Sequence, residues 1–154
     1  MLQINNVQAM DANIDKLLVE QRQIRALAKR DREVRAHEQA HAAVGGAYAG
    51  HPQYQFTKGP NGVQYAHSGQ VKIDVSPVAG DAAATLKKMQ TVARAALAPA
   101  QPSPQDRAVA AKANQEAARA RAELAQEKSD ARQTEKGARV VVGSTSGANI
   151  DVTA

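Results

Sequence analysis

Residues 11–43 have the sequence DANIDKLLVEQRQIRALAKRDREVRAHEQAHAA, which contains neither glycine nor proline. Its larger apolar residues recur at steps of three and four, as they do along one face of an α-helix. They are Ile14, Leu17, Leu18, Ile24, Leu27 and Val34, and Glu38 and His41 continue the row. Gly45-Gly46 follows, and glycine readily takes the left-handed conformation found at helix ends. The stretch therefore predicts one long amphipathic helix.

The pattern changes between residues 50 and 80, where apolar and polar residues alternate as in half-buried strands. The turn signals Gly59-Pro60-Asn61-Gly62 and Ser68-Gly69 divide this region into three runs. We predict three antiparallel strands, at Gln53–Lys58, Val63–His67 and Gln70–Val75.

Helical spacing returns at residues 81–98 and, after a proline-rich break, at residues 104–136. We therefore predict a minimal zincin-like α+β fold, in which the long N-terminal helix packs beside a small three-stranded antiparallel sheet and C-terminal helices follow. Residues 1–136 form the single predicted domain. Residues 137–154 form a predicted tail, either flexible or an added edge strand around Val140-Val141-Val142.

Composition excludes several functional classes. The 154 residues include no cysteine, so a disulfide or a thiolate metal site is impossible, and no Gly-x-Ser-x-Gly run is present. The net charge is +5, but from Asp106 to Arg139 eight basic residues alternate with six acidic ones, which is typical of a solvated helix face. Nucleic acid is therefore an unlikely partner. With neither a signal peptide nor an apolar run of about 18 residues, we expect a cytoplasmic protein without a membrane segment.

The run His37-Glu38-Gln39-Ala40-His41 carries the clearest chemistry. Residues four apart lie on one face of a helix, so His37 and His41 can offer two imidazoles to one tetrahedral ion, for which Zn²⁺ is the natural candidate. Glu38 projects beside them and can accept a proton from a water activated by the metal. The five-residue pattern is short, and a polar helix can carry it by chance.

Several longer runs surround this motif in order along the chain. They are residues 30–41, Gly59-Pro60-Asn61-Gly62, Tyr65-Ala66, Val71-Lys72-Ile73-Asp74, Ala95-Ala96-Leu97-Ala98-Pro99-Ala100 and Pro102-Ser103-Pro104-Gln105-Asp106. Together they resemble the SprA-related family of bacterial metalloprotease-like proteins. The resemblance covers about residues 27–123 and implies a zinc-peptidase-like protein.

The third metal ligand stays open at the level of sequence. The family pattern has Gly-Glu-Val where this chain has Gly69-Gln70-Val71. Glutamine offers only a neutral carbonyl oxygen. Either the site therefore binds metal less tightly than a site with glutamate would, or position 70 is not a metal ligand. His67 and Gln70 are equal candidates. Asp74 is a weaker candidate, since it can equally orient the imidazole of a metal ligand without binding the metal itself.

The sequence thus predicts a zinc-dependent metallopeptidase that hydrolyses a peptide or protein, with Glu38 as general base and then general acid. The alternative is an inactive family member that acts as a helical binding or assembly module, for which Gln70 is the best support. Its long helices then pair with a partner protein or with a second copy, so a homo-oligomer is possible.

Overall fold

The computed structural model describes residues 2–143. Its elements are α1 (Leu2–Gly45), a short 3₁₀ turn (Gly46–Tyr48), β1 (Gln53–Lys58), β2 (Gln64–Gln70), α2 (Ala82–Ala96) and α3 (Pro104–Gly143). No helix among these residues has both the length and the apolar character needed to cross a bilayer.

The long N-terminal helix is confirmed and begins earlier than the sequence indicates. It ends where Gly46 takes a positive φ of 51°, a conformation that costs other residues steric strain. Only the last six turns or so of α1 are covered by other elements, because β2 and α2 pack against this end of the helix. The buried positions there are Val34, Glu38, His41 and Gly45.

The sheet has two strands, and the prediction of a zincin-like three-stranded sheet is wrong. β1 and β2 pair antiparallel, from Gln53 opposite Gln70 to Lys58 opposite Gln64, with a bulge beside Gln55. The third predicted strand, Gln70–Val75, pairs with the segment that follows α1 instead. The amide of Gly50 donates to the carbonyl of Lys72, and the amide of Asp74 donates to the carbonyl of Tyr48.

The alternation that suggested this strand reflects burial and not sheet pairing. Ile73 and Val75 pack against the core between α2 and α3, while Asp74 between them accepts a 2.6 Å hydrogen bond from Lys88 Nζ. Buried and exposed side chains therefore alternate along this segment because one side of it packs against helices.

The core is narrow because it is built largely from alanine. Small side chains let α2 and α3 approach closely along Ala93, Ala113 and Ala117, and Met89 and Val92 are the only large side chains fully buried among the described residues. Asp81 caps the start of α2 by accepting a 2.7 Å hydrogen bond from the amide of Ala84.

The helix α3 extends beyond its predicted end near Lys136. Residues 137–143 of the predicted tail, including Val140-Val141-Val142, have helical backbone as the last turns of α3. Residues 144–154 lie outside the described part of the chain.

Candidate metal centre

His37 and His41 come together in the last turns of α1, as their spacing predicts. Their Nε2 atoms lie 3.2 Å apart, and the rings meet edge to face with centroids 4.9 Å apart. His37 is partly exposed to the cleft beside α1, whereas His41 is only 3% exposed. The pair therefore presents two imidazole nitrogens at one point on the helix surface.

Asp106 completes this cluster from the first turn of α3. Its Oδ2 lies 3.3 Å from His37 Nε2, and its Oδ1 lies 3.3 Å from His41 Nε2. Ser103 fixes the carboxylate by a reciprocal cap: the amide of Ser103 donates to Asp106 Oδ2 at 2.7 Å, and the amide of Asp106 donates to Ser103 Oγ at 3.1 Å. The hydrogen bonds that cap the start of α3 therefore also orient the Asp106 carboxylate toward the two histidines.

The spacing of these three ligand atoms fits a zinc ion. Tetrahedral zinc with bonds of about 2.0–2.1 Å separates neighbouring ligand atoms by about 3.3–3.4 Å. The three observed separations are 3.2, 3.3 and 3.3 Å. His37, His41 and Asp106 form the group of potential metal ligands found among the described residues.

The hydrogen bonding of His41 also suits a metal ligand. Its Nδ1 lies 2.9 Å from the carbonyl oxygen of Ala95 at the end of α2. A carbonyl oxygen only accepts hydrogen bonds, so Nδ1 carries the proton of the neutral ring and Nε2 keeps its lone pair. That lone pair faces the Asp106 carboxylate, an unfavourable arrangement unless a cation or a proton lies between them.

Glu38 is buried beside the cluster without a hydrogen-bonding partner. Its exposed fraction is 5%, no donor among the described residues hydrogen-bonds to its carboxylate, and its oxygens keep access to the cleft. Burial raises its pKa, and the nearby His37 and His41 only partly offset this effect. A buried carboxylate with a raised pKa is typical of a general base.

Gly69 at the end of β2 explains how Glu38 is covered. A methyl group at this position would lie 2.6 Å from Cγ and 2.9 Å from Oε1 of Glu38, closer than carbon and oxygen atoms approach without displacement. Glycine therefore lets the backbone of β2 rest directly on the carboxylate. Two contacts anchor this strand to α1: Ala66 donates to Asp31 Oδ1, and Arg30 donates to the carbonyl of His67.

Asp106 is held in its charged form. Burial is the largest influence and raises the pKa of Asp106, but hydrogen bonds from Ser103 together with the charges of His41 and His37 outweigh it and lower the pKa below its usual value. The carboxylate is therefore ionised at neutral pH and brings a negative charge to the two imidazoles.

The cluster opens into a cleft of about 730 Å³. One wall is the last turns of α1, a second is the end of β2 with Gly69 and Gln70, and a third is the α2–α3 connection with the start of α3. His37, Glu38, His41 and Asp106 all line this cleft, so a molecule that enters it meets all four side chains.

The other predicted ligands lie elsewhere. His67 is exposed on β2 and is not part of the cluster, although its backbone carbonyl helps anchor the strand. Gln70 lines the cleft, where its amide donates to Gln53 Oε1 at 3.2 Å. Asp74 pairs with Lys88 and Ser76, which lower its pKa well below the usual range. Asp74 therefore serves the contact between the Val71–Val75 segment and α2.

Sequence reasoning missed Asp106 because 65 positions separate it from His41. One signal was present: Ser103-x-x-Asp106 is a helix-start pattern within a run that resembles the family. Such a pattern predicts that the carboxylate caps the helix, but it does not indicate that the same carboxylate lies beside His37 and His41.

Comparison with known proteins agrees with the resemblance noted from the sequence. The model of the SprA-related family matches residues 3–152, a longer span than the motifs indicated. No curated protein and no solved structure matches the chain. Since the family model covers nearly the whole sequence, the chain belongs to the SprA-related family.

Proposed function

We propose that this protein is a zinc-dependent peptidase whose metal is held by His37, His41 and Asp106. The observation that carries the proposal is the convergence of two Nε2 atoms and a carboxylate at 3.2–3.3 Å, beside the Glu38 carboxylate that lines the same cleft. Two histidines and one carboxylate are a common ligand set of catalytic zinc sites, which leave the fourth position open.

When bound, zinc supplies Lewis acidity and lowers the pKa of water in the site to about 7. The chain's own residues then move the proton. Glu38 accepts it from the attacking water and passes it to the leaving amine, while the water oxygen bonds to the carbonyl carbon and the C–N bond breaks. The raised pKa of Glu38 suits both steps, because the group must take up and release a proton near neutral pH.

The walls of the cleft are compatible with an extended peptide. The end of β2 brings the main chain of Gly69 and Gln70 close to Glu38, and a peptide's own amides can hydrogen-bond to such a strand. Gln70 occupies the position where the family pattern has glutamate, and in this proposal it contacts substrate instead of metal.

Metal content of the purified chain tests the ligand set. We expect about one zinc per chain by elemental analysis, lost in His41→Ala and in Asp106→Asn, because each change removes one of three ligands. His67→Ala and Gln70→Ala are matched controls and should keep the metal. Loss of zinc in either control, with zinc retained in Asp106→Asn, would contradict the assignment of Asp106.

Hydrolysis of a quenched fluorescent peptide library tests the chemistry. The Glu38→Gln variant keeps the shape of the side chain but cannot take up a proton, so cleavage should fall by about 10²–10⁴-fold with the zinc content unchanged. A zinc-loaded wild-type protein that cleaves nothing would favour the non-catalytic alternative. Undiminished cleavage by Glu38→Gln would exclude the proposed mechanism.

A further inference from the structure

The first half of α1 exposes an unusual amount of apolar surface. Half of the large apolar side chains that are exposed in the described residues fall within ten positions of this helix. They are Met10, Ile14, Leu17, Leu18 and Val19. The elements that contact α1 are β2, α2, the 3₁₀ turn and, at His37 and His41, the start of α3, and burial of the helix begins near residue 24. Residues 10–23 therefore project from the domain as a single helix.

A lone helix of this kind is only marginally stable in water, because helices in proteins depend mainly on the packing of their apolar face. The distal part of α3 also projects, but residues 125–136 contain no aliphatic side chain larger than alanine. That segment offers no large apolar side chain to α1, and among the described residues no other element covers residues 10–19, which are exposed wherever their burial is described. A second chain can supply the missing packing.

Three of these five apolar residues follow a coiled-coil heptad, while Leu18 and Val19 fall at the neighbouring e and f positions. Met10, Leu17 and Ile24 occupy d positions and Ile14 occupies an a position, with Gln21 as a polar a residue and Val7 continuing the row in the sequence. A β-branched residue at a with leucine at d favours two parallel strands, and one polar a residue aligns the register.

The charges beside this heptad favour a second copy of the same chain. In a parallel pair, a g residue faces the e residue five positions further along the partner helix. Glu20 is a g residue and Arg25 is the e residue five positions on, so each interface forms this ion pair twice. We propose that residues 10–24 of α1 form a parallel two-stranded coiled coil with the same residues of a second copy.

This inference goes beyond the proposed peptidase and does not depend on it. Leu17 and Glu38 are 21 residues apart on one helix, or about 31 Å at 1.5 Å per residue. The coiled coil therefore leaves both clefts of the dimer open, and the helices separate where β2 and α2 begin to cover α1.

Sedimentation equilibrium of the full chain tests the association. We expect a mass of two chains, halved in the double variant Ile14→Glu, Leu17→Glu. The matched control is Ala12→Glu, Val19→Glu, which adds the same charges at f positions outside the seam and should remain a dimer. Zinc content, measured in parallel, should be equal in all three proteins, which separates this test from that of the metal site. A wild-type mass of one chain, or of more than two, would overturn the proposal.

Disulfide trapping tests the orientation without destabilising the helix. The chain has no cysteine, so Met10→Cys introduces its sole thiol. Two d positions at the same level of a parallel pair lie close enough for a disulfide, so oxidation should yield a covalent dimer. The control Ala12→Cys faces outward and should yield little. Equal trapping of the two variants, or none with Met10→Cys, would overturn the parallel arrangement.

Discussion

The two halves of α1 invert the usual distribution of side chains. Near its end, where β2, α2 and α3 enclose the helix, the buried face carries His41 and Glu38, which are 3% and 5% exposed. Near its start, Met10 and Leu17 are 62% and 58% exposed. Soluble domains normally bury the apolar residues and leave carboxylates in water.

Each inversion costs free energy, and the two costs have different origins. A largely buried carboxylate loses part of its hydration, and no donor among the described residues hydrogen-bonds to Glu38 in compensation. An exposed apolar stripe leaves a helix without packing. Substitutions are therefore expected to affect the two halves differently, since the end of α1 is tightly packed around a site and residues 10–19 are packed against no other element among the described residues.

Truncation of the core gives the largest expected difference between these regions. Met89→Ala removes one of the two large, fully buried side chains between α2 and α3 and should lower the free energy of unfolding by about 2–5 kcal/mol. Val19→Ala, on the exposed half of α1, should change it by less than about 0.5 kcal/mol. Urea denaturation of both variants measures the contrast, and equal losses would show that the first half of α1 is packed after all.

The sequence predicted most of the helical frame and part of the site. The period of residues 11–43 gave a helix whose i, i+4 geometry brings His37 and His41 together, and β1 has the predicted bounds. These features depend on local spacing alone. Alternation within Val71–Val75 indicated which side chains are buried but could not show that the segment pairs with Tyr48 and Gly50 instead of β2.

Asp106 and the cover over Glu38 depend on tertiary packing. The carboxylate reaches the histidines only because the alanine faces of α2 and α3 pack closely and place the start of α3 beside the end of α1. Gly69 approaches Glu38 because Arg30 and Asp31 hold β2 against the helix. Neither contact leaves a periodic signal in one segment of sequence.

Gly69→Ala should produce an intermediate effect confined to the covered half. Its methyl group would lie 2.6 Å from Glu38 Cγ, so the strand or the carboxylate must move, at a cost of about 1–3 kcal/mol in the free energy of unfolding. Peptide cleavage should fall while zinc content is kept, because no ligand is touched. In the control Gly50→Ala the methyl group meets its nearest atom, Lys72 O, at 3.6 Å, an ordinary contact. Equal effects of the two changes would show that the Gly69 contact does not position Glu38.

Glu38→Gln should have a smaller effect on folding than Met89→Ala or Gly69→Ala, and it should raise stability where those two changes lower it. Burial raises the pKa of Glu38 in the folded state, so folding opposes its ionisation. Below the ordinary glutamate pKa the group is protonated in both states and costs nothing. As the pH rises past that value the unfolded chain ionises first, and stability declines until the folded carboxyl has also ionised.

Glutamine has no such penalty, so in metal-free protein at neutral pH the variant should be more stable than the wild type. The advantage should disappear on acidification below the ordinary glutamate pKa. Urea midpoints of both proteins, measured across the acid and neutral range with a chelator present, follow the difference. A variant that is less stable than the wild type at neutral pH would show that the carboxylate is stabilised where it lies, and the contrast between the two halves of α1 would then rest on the apolar half alone.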